Sequence, residues 1–251
     1  MRSTNPVLSR TDVFSRNGYV RPAPVGADPL QPGTTTRVMT LDDVVTRTGL
    51  LLVIALATGA FAWAADVGPG LAIISVFVGL GLAIVNSVKA VPSPPLIMAY
   101  AAVEGIFLGA ISKSLEATHP GVVVQAVAGT AITFGVMLAL YRSGRVRVTP
   151  RFTKVLVGAS MGYLILMFGN LMLNLFHSGA NAWGGGFGLL TAAAGAGLAS
   201  FYLTLDFDMV ERGIKAGAPE IEAWRAAFGL TVTLIWLYIE LLRLISILRG
   251  D

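Results

Sequence analysis

The stretch TGLLLVIALATGAFAWAADVGPGLAIISVFVGLGLAIVNSV, from Thr48 to Val88, carries one charged residue, Asp66. Asp66-Val67-Gly68 divides it into two apolar runs, Thr48–Ala65 and Pro69–Val88. A helix that crosses about 30 Å of hydrocarbon needs about 20 residues at about 1.5 Å each, so both runs are long enough to span. The loop between them is too short for anything but an antiparallel hairpin. Outward from this pair the pattern repeats five times, at Pro95–Ser112, Gly121–Tyr141, Val155–Phe176, Gly185–Leu205 and Ala226–Leu248. Five of the seven runs contain no charge; the exceptions hold Glu104 in the third and Glu240 with Arg243 in the seventh. The reading is an all-α integral membrane bundle of seven transmembrane helices.

Composition leads to the same class. Residues of the hydrophobic set make up 55% of the chain and charged residues 13%, too little polar surface to coat seven apolar helices in water. The 29 glycines suit close helix approach in lipid. With no cysteine there is no disulfide framework and no thiolate chemistry. The net charge of +4 has a topological distribution. With the N-terminus inside, fifteen of the eighteen Lys and Arg residues fall on the N-terminal tail and the 2–3, 4–5 and 6–7 loops, which predicts a cytoplasmic N-terminus and an external C-terminus. Residues 1–45, rich in Arg, Pro, Ser and Thr, read as a disordered or surface-lying cytoplasmic tail, with the transmembrane domain over 46–251.

Charges inside the spans are the candidate functional residues, because each costs about 2.5–3.5 kcal/mol at mid-bilayer and faces protein or water. Glu104 has no Lys or Arg one turn away, which leaves it as a cation ligand, a proton relay, or an acid hydrogen-bonded to another helix. Gly105 and Gly109 beside it have the spacing of a close helix crossing. Glu240 and Arg243, at i,i+3, form a local ion pair or line one cavity. Asp206 and Asp208 stand where the sixth apolar run ends; two residues apart, they cannot share a helical face, and Asp206 is expected to point inward with Asp208 solvated.

Enzymatic readings find little support. Gly158-Ala159-Ser160-Met161-Gly162 has the spacing of a hydrolase elbow, but Ser160 falls in a helical run and the two histidines, His119 and His177, sit on loops. The expectation is a protein that is not an enzyme and needs no cofactor.

Together the seven spans, Leu205-Asp206-Phe207-Asp208 at the end of the sixth, and the closing LYIELLRLISIL of Leu237–Leu248 resemble the Bax inhibitor-1/YccA-like family over about residues 46–250. The Arg-rich tail with Asn5-Pro6 looks like an extension of actinobacterial members. The resemblance implies six helices around a central seventh, in a bacterial plasma membrane. It also implies a pH-sensitive calcium leak, latched by a helix-six aspartate and a helix-seven aspartate that share a proton. The first corresponds to Asp206; the position of the second is occupied by Thr233, seven residues before Glu240. Other bacterial relatives restrain a membrane-bound protease complex through the tail, so the partners implied are the lipid bilayer, Ca2+ or another cation, and such a protease.

Overall fold

The computed structural model describes residues 37–176 and 185–250 of the chain. Seven helices follow in order: α1 (Leu41–Ala64), α2 (Pro69–Val88), α3 (Pro94–Thr118), α4 (Val122–Arg142), α5 (Pro150–Phe176), α6 (Gly185–Lys215) and α7 (Glu222–Gly250). All seven contain stretches long and apolar enough to cross a membrane.

The helices outrun the apolar windows where polar residues keep helical order. α1 begins at Leu41 because Thr40 and Asp43 form a reciprocal capping box, with Asp43 N donating to Thr40 Oγ1 (3.2 Å) and Thr40 N to Asp43 Oδ2 (3.0 Å). Of the expected tail, residues 1–36 lie outside the described residues, whereas 37–45 are ordered against the bundle. α6 continues ten residues beyond Leu205, supported by the i,i+4 pairs Asp208–Arg212 and Glu211–Lys215. It stops just before Gly217, whose φ of 64° suits a residue without a Cβ. Asp206 therefore does not end α6, as the hydropathy boundary implied. It lies nine residues inside it, about 14 Å from Lys215.

Helix α7 is the centre. Half (50%) of its most apolar stretch is buried, against 17% in α2 and α5. Its backbone packs closely on α1, α3, α4 and α6, while α2 lies mainly on α3, and α5 lies on α6 and reaches α7 through side chains. Buried Leu203, Phe207, Leu230, Leu234 and Leu237 fill the space where α6 and α7 meet α4, and on the other flank the rings of Tyr100 and Phe228 meet edge-to-face at 5.1 Å.

Lipid tails are as apolar as leucine, so helix association in a membrane rests on packing. The tightest crossing, α1 on α3, shows how this is reached. A Cβ on Gly109 would overlap the carbonyl oxygen of Gly59, and one on Gly105 would overlap that of Ala55. At the end of the bundle formed by the α1–α2 turn, Lys113 donates to Trp63 O (2.9 Å) and pairs with Asp66 (2.7 Å), which holds the Asp66 carboxyl below its usual pKa.

At the opposite, arginine-rich end a short strap crosses the α6–α7 loop. Val38 and Pro219 form an antiparallel bridge, Met39 N donates to Ala218 O and Glu220 N to Arg37 O, both at 2.8 Å. Arg47 on α1 clamps the same loop, donating to Glu220 O and Oε1 at 2.6 Å each and lying 5.4 Å over the Trp224 ring. Met39 is buried against Gly213.

Gly109→Ala should destabilise the protein by about 1–3 kcal/mol by forcing α1 and α3 apart, while Gly135→Ala, whose Cβ meets nothing within 4 Å, should be neutral or slightly stabilising. Thermal denaturation of the two variants in the same detergent checks the contrast.

Candidate functional site: three acids against three glycines

The acids within the apolar core of the bundle fall into three separate places, each touching a glycine of a neighbouring helix. Asp206 of α6 is 8% exposed and faces α7. A Cβ on Gly229 would lie 3.5 Å from its Oδ1. One turn further along α7 is Thr233, itself buried, whose hydroxyl is near enough to interact with the Asp206 carboxyl. The other carboxylate oxygen, Oδ2, is buried with no hydrogen-bond partner among the described residues. The next residue fixes the depth: the ring of Phe207 packs on Phe134 (5.5 Å) and Tyr141 (5.8 Å), within the last two or three turns of α4. Asp206 and Thr233 thus meet inside the bundle, on the side of the α6–α7 loop.

Asp208 leaves that face, as its two-residue offset requires, but is not simply solvated. It is ion-paired with Arg212 on its own helix and its side chain is 19% exposed. Its neighbour Glu211 accepts a hydrogen bond from Tyr141, which ties α6 to α4 close to the loop.

Glu240 and Arg243 make the second place. Their ion pair, Nη2 to Oε2 at 3.3 Å, is present. It belongs to a larger cluster from three helices. Tyr163 of α5 and Trp236 of α7 both donate to Glu240 Oε1, the indole at 3.2 Å. Arg243 donates to Thr191 Oγ1 of α6 (3.2 Å) and contacts Met167 Sδ of α5 (3.6 Å). Gly195 of α6 makes room: a Cβ there would stand 2.6 Å from Glu240 Cδ and 2.5 Å from the Tyr163 hydroxyl. Glu240 is 4% exposed and lies ten residues, about 15 Å, from Gly250, well inside α7.

Glu104 is the third. Its carboxyl lies against Gly79 of α2, where a Cβ would come within 2.7 Å of Oε1, and the hydroxyl of Tyr100, one turn earlier on α3, is near enough to interact with it. It faces the α2–α3 seam at the middle of α2, away from Asp206. Of the six candidates the fold joins Asp206 to Thr233 and Glu240 to Arg243, and leaves Glu104 alone on its seam. No group of three or more His, Cys, Asp or Glu side chains that could hold a metal occurs among the described residues. His177 lies outside them, and Ser160 is a helical residue of α5.

Several residues of these places were not singled out from sequence. Tyr100 and Trp236 precede Glu104 and Glu240 by four residues, and Gly229 precedes Thr233 by four, so their i,i+4 spacing was there to be read. Tyr163, Gly79 and Gly195 come from other helices and have no local signal.

Seven spanning helices with α7 buried among the other six, and acids housed between them, define a multi-pass helical membrane protein. The sequence profile described as Bax inhibitor 1 like matches residues 5–250, and the chain belongs to that family. No curated protein matches the chain.

Tyr163→Phe should cost about 1–3 kcal/mol, because it removes a donor from a buried acid. Trp236→Phe should cost less, the indole bond being longer. A double-mutant cycle of Tyr163→Phe with Glu240→Gln, read by thermal unfolding in detergent, should give a coupling energy clearly different from zero.

Proposed function

We propose that this protein is a proton-controlled cation leak, with calcium the first ion to test, and that its gate is the contact between Asp206 on α6 and Thr233 on α7. The supporting observation is the environment of Asp206, a buried acid with one hydroxyl neighbour and an orphaned carboxylate oxygen between the two most buried helices. A neutral carboxyl tolerates that site. A carboxylate there has too few donors, and its charge favours admitting water or a cation between α6 and α7. The protonation state of one residue thereby biases two arrangements of the α6–α7 hairpin.

The gate differs from the diaspartate latch that the family resemblance implies. Two close acids titrate as a coupled pair, in two macroscopic steps. With Thr233 opposite Asp206, a single ionisable group remains at the contact, and the response to pH is that of one site. Glu104 and the Glu240–Arg243 cluster are too far along the helices to complete the pair: Glu240 is seven residues, about 10 Å, beyond Thr233 on α7.

On this reading the protein transports and does not catalyse. It lies in a bacterial plasma membrane with the arginine-rich end in the cytoplasm, the orientation favoured by the loop charges. The Asp206 gate then opens toward the cytoplasm.

Calcium entry into proteoliposomes across the neutral pH range tests the proposal. Wild-type flux should follow a single-site titration, Asp206→Asn should make it independent of pH, and Thr233→Asp should split the response into two steps. Glu104→Gln should leave the shape of the pH curve unchanged. Flux no greater than that of empty vesicles at every pH would overturn the leak and favour a non-transporting modulator of a membrane protease.

A further inference from the structure

The cations at the arginine-rich end are not equivalent. Arg37, Arg47, Arg212, Lys215 and Arg225 each pair with a carboxylate. In contrast, the segment from the end of α4 into α5 carries Arg142, Arg145, Arg147, Arg151 and Lys154 with no acid among the intervening residues. None of these five pairs with a carboxylate among the described residues. Positive-inside signalling accounts for the charge but not for a cavity beside it.

Such a cavity exists. A cleft of about 810 Å³ opens between the first turns of α5 and the last turns of α6, with Thr149, Thr153, Lys154, Arg212 and one acid, Asp208, on its walls. Arg212 is held there by its ion pair with Asp208, while Lys154 is exposed and has no partner among the described residues. Thr149 caps α5 by accepting from Phe152 N (3.1 Å), which leaves its hydroxyl proton free to be donated. The start of α5 adds the positive end of a helix dipole. Deeper in, the lining becomes Val157 and Gly158, two to three turns inside the α5 span and exposed toward lipid. The cleft thus passes from cationic and hydroxyl groups at the level of the helix ends to apolar surface within the hydrocarbon.

We propose that this cleft is a binding site for an anionic phospholipid. The Lys154 ammonium and the Arg212 guanidinium face the phosphate, Thr149 donates to one of its oxygens, and Val157 underlies the glycerol and the top of an acyl chain. A soluble anion would match the mouth alone; the apolar floor selects a ligand that has a chain. This assignment is independent of whether the protein conducts ions.

Native mass spectrometry on protein purified in mild detergent tests the site, with phosphatidylglycerol, phosphatidylcholine or glycerol phosphate added. Phosphatidylglycerol should be retained in preference to phosphatidylcholine. Lys154→Gln should weaken its retention about fivefold, from about 1 kcal/mol per interfacial cation. Lys154→Arg should keep it, which separates loss of charge from loss of fold. Arg145→Gln, in the same basic segment but outside the cleft lining, should change retention less than Lys154→Gln. Equal retention of the two lipids, equal losses in Lys154→Gln and Arg145→Gln, or displacement by glycerol phosphate at the lipid's own concentration would each overturn the proposal.

Discussion

A carboxyl group within the hydrocarbon must be housed by protein, because no water is there to solvate it. In this bundle the room comes from glycine. Glu104 lies against Gly79, Asp206 against Gly229 and Glu240 against Gly195. At Gly79 and Gly195 a Cβ would overlap the carboxyl, so there the neighbouring helix must give up a side chain, whereas at Gly229 a Cβ would only touch Asp206, at 3.5 Å. The same device, without an acid, brings α1 onto α3 through Gly59, Gly105 and Gly109. Polar chemistry and close packing therefore depend on one residue type. That gives the high glycine content of the chain a job beyond loop flexibility.

The three acids are not interchangeable. Glu240 has two donors on Oε1, while Oε2 lacks a hydrogen bond but lies 3.3 Å from the Arg243 guanidinium, a cluster that fastens the lipid-facing α5 to the core. Glu104 lies beside a tyrosine whose ring rests on α7. Among these acids Asp206 alone has a buried oxygen with neither a hydrogen bond nor an ion pair among the described residues. Glu240 Oε2 and Asp208 Oδ2 also lack hydrogen bonds, but each faces an arginine. An acid with an ion pair and two donors is anchored in its charged form, whereas one without them is costly to ionise where it lies. That contrast is why function is assigned to the α6–α7 contact rather than to the more elaborate cluster nearby.

Sequence legibility followed the physics of each feature. Spans were readable because hydropathy is local and continuous, and the acids stood out as charges in apolar text. Helix ends were misjudged wherever polar residues continued a helix: Asp206 looked terminal because the apolar run stops at Leu205, yet Asp208–Arg212 and Glu211–Lys215 carry α6 to Lys215. The pairing of Asp206 with Thr233 matched the ungapped register with the family's last helix. Contacts between distant helices, such as Tyr163 with Glu240, left no trace in spacing. Neither did the strap of Val38 on Pro219, a single bridge between segments with no strand pattern.

That strap also bears on the order of assembly. Its two sides are separated by six helices of chain, and a nascent protein makes the N-terminal side first. Residues 37–39 consequently have nothing to pair with until α6 and the loop after it have been synthesised and inserted. Closing so long a loop is entropically unfavourable until the intervening helices have packed. The strap is thus a late contact, one that requires six of the seven helices to have been made first.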